Sequence, residues 1–290
     1  MPSIRAPDLN LDYTLFSGQV FDWAKRSDCS YYGSVYGDCA NLFFDYRDER
    51  LYFDGVNSSQ VRKFFDLTFD YKQMALELSK DPVLSPDLSA FYGIRILRQD
   101  PWECAVTFLV SQNNNMDRIR SSLEKIRRQG GQDGGKYSFP SPREMAGLAV
   151  SDYVKMGLGY RAPYIKKLAQ NVVEGVIEFR TLERKSYPAA KAELVEKQLG
   201  IGPKVADCVL LYSLGKLEAA PVDVWIKKAV LRRYAKEIEN YAKETNSKSR
   251  MPGEQLIGDF LRRRFGKFAG YAQLFLFLSE RSQFATIKSW

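Results

Sequence analysis

Residues 193–225, ELVEKQLGIGPKVADCVLLYSLGKLEAAPVDVW, decide the fold. Helical spacing ends near Gln198, and Leu199-Gly200-Ile201-Gly202 makes a tight turn. A second helix opens at Pro203, because proline suits the first helical position, where its missing N–H costs nothing. Gly200 and Gly202 permit positive φ and close backbone approach. Ile201 between them is read as buried and pins the turn. The N–H groups of Gly202 and of the helix start then face outwards, where they can receive a phosphate oxygen. Such a contact reads backbone and not sequence. A plain pair of antiparallel helices would use the same residues, so the turn alone leaves a structural and a nucleic-acid-binding role both open.

Lys204 falls in the first turn of the second helix. The positive end of the helix dipole disfavours a cation there. Partial desolvation would lower the pKa of the amine and make it nucleophilic; a simple phosphate-binding lysine is the other role. Asp223 begins the helix VWIKKAVLRR and is a natural N-cap. A carboxylate at a helix start also stays ionised and can stabilise a neighbouring cation. The two residues are 19 positions apart, one helix plus a short loop, a separation that can bring two helix starts together at a cleft.

The rest of the composition narrows the chemistry. The 290 residues include 43 Lys+Arg, 35 Asp+Glu and no His. No Ser-His-Asp or Cys-His nucleophile can therefore exist, nor any imidazole metal site. Proton transfer and nucleophilic attack must fall to Asp, Glu, Lys, Cys or Tyr. Cys29, Cys39, Cys104 and Cys208 form no CxxC and have no zinc or iron–sulfur spacing, so neither metal nor cofactor is expected. The N-terminus has no apolar signal core and no apolar run is long enough to span a bilayer. These features lead us to expect a reducing intracellular location (cytoplasm or nucleoid in a prokaryote, nucleus in a eukaryote), no membrane partner and a monomer. Residues 1–84 carry 9 Lys+Arg against 13 Asp+Glu, a net of −4, while residues 85–290 carry 34 against 22, a net of +12. The basic later part suits a polyanion partner, although ordinary solubilising charge would look similar.

The pattern along the chain is α+β. Residues 14–55 alternate Tyr, Phe and Val between turn signals, which predicts an antiparallel sheet. Helical periodicity starts near residue 58, and Ser85-Pro86 is read as a break. The expected division is an N-terminal antiparallel sheet domain with flanking helices, 1–84, and a mostly helical, two-lobed domain, 85–290. Asp100-Pro101 signals an N-cap followed by the buried helix WECAVTFLVSQ, and residues 116–129 form a basic amphipathic helix. GGQDGG (130–135) and residues 240–252 are expected to be loops. Further helices are expected at 141–150, 162–178, 188–198, 203–214, 223–235, 253–264 and 268–280.

LGIGPKVADC…APVDVW resembles the signature of the helix-hairpin-helix DNA glycosylases, and most closely that of the eukaryotic-type 8-oxoguanine DNA glycosylase/AP lyases. The resemblance extends from about Leu11 to Gln283. It implies damaged double-stranded DNA as partner, Lys204 as the nucleophile that attacks the sugar C1′ and forms a Schiff base, and Asp223 as the group that stabilises the sugar cation. It implies further roles by position. Gly18 in LFSGQVFDW would present a carbonyl to N7–H of the oxidised base, on a strand. Cys208 and Phe277 would stack on the two faces of the flipped base, and Gln273 would bond its Watson–Crick edge. Asn113, in QNNNMDRIR, would fill the vacated gap, and Arg118 would read the estranged cytosine. Tyr160 and Arg161, in GLGYRAP, would wedge into the duplex and bond that cytosine. Gly200 and Gly202 would contact backbone. The family usually has a phosphate-touching His two residues after the Asp; Trp225 stands there, so that contact is lost or altered. Two alternatives stay in view. One is another helix-hairpin-helix glycosylase, acting on alkylated or other damaged bases. The other is a non-catalytic helix-hairpin-helix DNA-binding module, which would need neither the Lys–Asp pair nor an aromatic base pocket.

Overall fold

The computed structural model describes residues 1–133, 136–246 and 252–282. An N-terminal five-stranded antiparallel sheet precedes a mostly helical region. The strands are β1 (Ser3–Arg5), β2 (Ala24–Lys25), β3 (Tyr31–Val35), β4 (Asp38–Asp45) and β5 (Arg50–Asp54), in the spatial order β1-β5-β4-β3-β2. Tyr36 and Gly37 join β3 to β4 with both φ angles positive, the requirement of a two-residue hairpin turn that matches strand twist. That turn fixes the register Tyr31↔Leu42 and Val35↔Asp38, which puts Tyr31, Val35, Ala40 and Leu42 on the buried face. Leu51 and Phe53 of β5 join them, and Leu11, Val61, Phe64 and Leu97 close this first core from outside the sheet.

The second and larger core belongs to the helices, from Tyr71 of the helix Tyr71–Leu78 to Leu278 of the last helix, Ala269–Ser282. Phe21 reaches into it from the N-terminal region. Tyr71 and Tyr271 pack edge to face at 6.1 Å, tying early and late segments together.

Several expectations change. Residues 14–23 are not strand: Leu11–Leu15 is a short helix whose N-cap, Asn10, accepts from Tyr13 N–H, and a loop carries the chain on to β2. The physical reason is the buried Gln19. Its amide donates to the carbonyls of Thr14 and Arg95, each at 2.9 Å, and accepts from Leu97 N–H at 2.9 Å. Gln99 in turn donates to the Gln19 carbonyl at 2.7 Å. Side-chain amides thus do the satisfying that a strand partner would otherwise do, and Gly18 sits in a loop rather than a strand. Ser85-Pro86 opens the helix Ser85–Ala90 instead of breaking the chain, since proline is at home in a first turn. Within GGQDGG, Gln132–Asp133 pairs with Lys136–Tyr137, and residues 134–135 lie outside the described residues. The helix expected over 162–178 ends at Val173, and a further helix, Phe179–Arg184, lies outside the expected set. The stretch 240–252 begins helical, within Ala235–Glu244, and residues 247–251 lie outside the described residues.

One ionic cluster links the N-terminal region to the helices. Arg127 donates to Asp22 at 2.8 Å and also to Glu103, and all three are largely buried. Two carboxyls share one guanidinium, so the cluster cannot be neutral with both ionised. Burial pushes Glu103 up to about 7 against the lowering pull of Arg127, and raises Asp22 as well. The folded protein therefore holds a proton that the unfolded chain releases near the ordinary glutamate value of 4.5. The associated stability is fully present below that value. It is lost as pH rises through about 7, at no more than ~1.4 kcal/mol per pH unit. Thermal melts from pH 5 to 7.5 should show a downward trend that Glu103→Gln flattens; equal slopes in the two proteins would mean that Glu103 is already ionised.

Candidate active site

The hairpin joins the helices Tyr187–Lys197 and Pro203–Tyr212. Gly200 adopts φ +84°, and a Cβ there would lie 2.5 Å from the Tyr164 ring, so glycine is required on two counts. Gln112 donates to the Gly200 carbonyl at 2.8 Å, and Ile201 is buried as expected. Gly202 is different. Its φ is −86°, open to any residue, and a Cβ would meet nothing within 4 Å. The expectation of left-handed backbone at both glycines therefore holds only at Gly200. Gly202 is the N-cap of the second helix and brings no side-chain cap, which leaves the helix N–H groups at an uncovered surface.

Pro203 occupies the first position of that helix and Lys204 the second. Asp223 caps the helix Val224–Arg233, accepting from Trp225 N–H at 3.0 Å and Ile226 N–H at 2.9 Å. Both helix starts open into one small cavity, of about 50 Å³, lined by Gly18, Lys204, Cys208, Asp223, Gln273 and Phe277. All six come from the sequence reading. A larger cleft of about 580 Å³, between Trp23, Tyr32 and the helix Met116–Arg127, contains none of them.

Each wall of the cavity has a physical character. The Lys204 ammonium lies 5.6 Å from the centre of the Phe108 ring, a cation over an aromatic face. Cys208, one turn on, is fully buried, and desolvation pushes its thiol up to about 12 despite the opposing pull of Lys204. It therefore presents a neutral, polarisable surface at neutral pH. Gln273 is 4% exposed, and its Oε1 has no hydrogen-bond partner among the described residues. A buried carbonyl oxygen left so costs roughly 1–3 kcal/mol, a cost that a donor entering the cavity would relieve. Phe277 lies one turn beyond on the same helix. Gly18 has φ +85°, and a Cβ there would lie 3.6 Å from the Phe277 ring.

A second group lies beside the hairpin. Arg161 is buried and donates to the carbonyls of Gln112 and Asn113, with the Asn113 bond at 3.0 Å. Its guanidinium stacks on Tyr160 at 4.4 Å, and the Tyr160 ring is 51% exposed. Asn113 sits at φ +44° in the loop before Asn115, which caps the helix Met116–Arg127. The structure thus brings Asn113, Tyr160 and Arg161 together. Arg118 is exposed on the first turn of that helix, and no hydrogen bond or ion pair of its side chain joins it to this group. Trp225 is half-buried, with the Lys228 ammonium 5.8 Å from its ring.

Among the residues at the site that escaped the sequence reading are Phe108 and Tyr212 in the cavity lining and Arg281 beside it. Phe108 and Tyr212 stack at 5.5 Å and form the cavity floor. In sequence they are ordinary members of apolar helices and give no signal. Arg281 lies 5.4 Å from the Phe277 ring centre. It continues the four-residue spacing of Gln273 and Phe277, and that spacing could have found it.

A family model described as 8-oxoguanine DNA glycosylase, N-terminal domain, matches residues 3–105, and one described as HhH-GPD superfamily base excision DNA repair protein matches residues 106–254. A probable N-glycosylase/DNA lyase of Methanothermobacter thermautotrophicus is 35% identical over 243 residues, covering 75% of this chain and 73% of that protein. The structure of MBOgg1 with a low-affinity DNA ligand superposes with a TM-score of 0.87 at 36% identity, covering 97% of this chain and 95% of that one. The 8-oxoguanine glycosylase/lyase of Clostridium acetobutylicum, solved with double-stranded DNA containing cytosine opposite 8-oxoguanine, gives 0.85 at 28% identity, with 98% of each chain covered.

The two hairpin glycines should separate in stability measurements. Gly200→Ala meets both backbone strain and the Tyr164 ring and should cost about 1–3 kcal/mol. Gly202→Ala should cost less than about 1 kcal/mol. Denaturant melts that rank them equally would contradict the assignment of Gly200 as the structural glycine.

Proposed function

The chain belongs to the HhH-GPD superfamily of base excision DNA repair proteins, in the branch that carries the 8-oxoguanine DNA glycosylase N-terminal domain, and from that membership we propose that it is a bifunctional 8-oxoguanine DNA glycosylase/AP lyase. It acts as a monomer on 8-oxoguanine opposite cytosine in duplex DNA. The observation that carries this reading is the cavity itself. An amine nucleophile, a carboxylate and an unpartnered buried amide oxygen open into one space walled by apolar surface.

The chemistry follows from those groups. The lesion must leave the helix stack to reach Lys204. Gln273 Oε1 then receives a donor from the Watson–Crick edge, while Phe277 and Cys208 cover the two faces of the base. The Lys204 amine, after losing a proton, attacks C1′, and the C1′–N9 bond breaks with its electron pair leaving on the base, which takes up a proton. Asp223, held at its helix start by two N–H bonds, stabilises the positive charge that develops on the sugar. Ring opening of the aminal gives an imine between Lys204 and C1′. Loss of a proton from C2′ then expels the 3′ phosphate by β-elimination. On the duplex side, the exposed Tyr160 replaces lost stacking. Arg161 exchanges its two carbonyl partners for the cytosine edge, with Asn113 and Arg118 beside it. The uncovered N–H groups at Gly202 take a phosphate of the backbone.

Two experiments test the mechanism. Borohydride should trap a covalent complex of the wild-type protein with 8-oxoguanine:cytosine duplex, and Lys204→Gln should abolish it; trapping unchanged in the variant would remove Lys204 from the chemistry. Asparagine caps a helix as well as aspartate does. Asp223→Asn should therefore keep the melting temperature and DNA affinity while slowing single-turnover excision by about 10²-fold or more. Parallel losses of stability and rate would reduce Asp223 to a cap.

A further inference from the structure

Gln273, Phe277 and Arg281 are spaced four residues apart on the helix Ala269–Ser282 and form one stripe. Gln273 is buried, whereas Phe277 and Arg281 are both half-buried, so the stripe runs from the closed end of the cavity to its mouth. At the mouth three separate parts of the chain converge on the Arg281 guanidinium. A Cβ at Gly18 would lie 3.7 Å from its Nη1, the Phe277 ring centre is 5.4 Å away, and the Asp223 carboxylate acts on it electrostatically. Burial lowers its pKa to about 10 and Asp223 opposes that shift, so the group remains a cation at neutral pH. The neighbouring acid, Glu280, is fully buried and engages Lys228 at 3.5 Å and Arg232 at 2.6 Å on the helix Val224–Arg233.

A nucleotide whose base lies between Phe277 and Cys208, with its Watson–Crick edge at Gln273, carries its sugar to Lys204 and Asp223, and its phosphates then come within reach of Arg281 beside Asp223. The phosphates are the charged groups of that nucleotide, and a guanidinium fork matches phosphate oxygens better than any other side chain. We propose that Arg281 contacts the substrate directly, gripping a phosphodiester of the flipped nucleotide at the mouth of the cavity. The inference rests on the function proposed above. It adds a cation to the grip on the lesion strand, supplied by the same helix that reads the base.

The test uses the full-length protein with Arg281→Leu and Arg281→Lys, each also combined with Lys204→Gln to block turnover. Affinity is measured at several salt concentrations for two duplexes, one with 8-oxoguanine and one with a tetrahydrofuran abasic analogue. Arg281→Leu should weaken both by about tenfold and reduce the slope of log affinity against log salt by about 0.9, the signature of one lost phosphate contact. Arg281→Lys should recover most of the loss, because a point charge still meets a phosphate. Unchanged affinity and slope in Arg281→Leu would overturn the proposal. So would a loss confined to the 8-oxoguanine duplex, which would make Arg281 a base contact. Borohydride trapping on abasic-site DNA separates the two levels of the reading. Wild-type trapping with unchanged Arg281→Leu affinity removes only this inference, whereas failure of wild type to trap removes the function on which it rests. Retained trapping by Arg281→Leu also shows that the variant is folded.

Discussion

The site depends on one constraint: two helices must begin at the same cavity. Lys204 occupies the second position of one helix, and Asp223 is the N-cap of another. A carboxylate that accepts two N–H bonds from its own helix cannot swing away from the cavity without leaving those donors unsatisfied. The cap therefore also holds the carboxylate at the cavity, where the proposed electrostatic role requires it. The hairpin fixes the other helix, because Gly200 lets the chain turn tightly against Tyr164 and Gln112 holds the turn by its carbonyl.

The division of labour between the glycines shows how a motif mixes structure with chemistry. Gly200 is needed by the protein itself. Gly202 is not, since its backbone is unstrained and the space around it is empty. A feature that the fold does not require is best explained by something the fold has to meet. The missing histidine has a similar logic. With no imidazole in the chain, a lysine amine and an aspartate carry the proposed reaction, and neither needs one.

Much of this was legible in the chain. The hairpin, the helix starts at Pro101 and Pro203 and the cap at Asp223 follow from residues whose backbone preferences are strong, whereas Gly18, Cys208, Gln273 and Phe277 were placed at the site by the family resemblance alone. What failed has identifiable causes. The loop around Gly18 has the alternating pattern of a strand, but a buried glutamine, Gln19, satisfies the backbone in place of a neighbouring strand. A long-range side-chain bond of that kind leaves no periodic trace. Phe108 and Tyr212 look like any core aromatic because they are core on one side and cavity floor on the other. Helix boundaries at 147–150 and 173–179 were blurred because short helices joined by tight turns keep the apolar spacing of one longer helix.

The unpartnered oxygen of Gln273 has a consequence for selectivity. The DNA-free protein already bears the cost of desolvating that atom, so a visitor is judged by whether it relieves the cost. A base that offers a donor removes the penalty, while one that offers an acceptor leaves it in place and adds repulsion. A missing match of about 1–3 kcal/mol is a factor of roughly 10–100 in occupancy. Under the proposed function, selection rests on a bond that the cavity lacks before any DNA arrives.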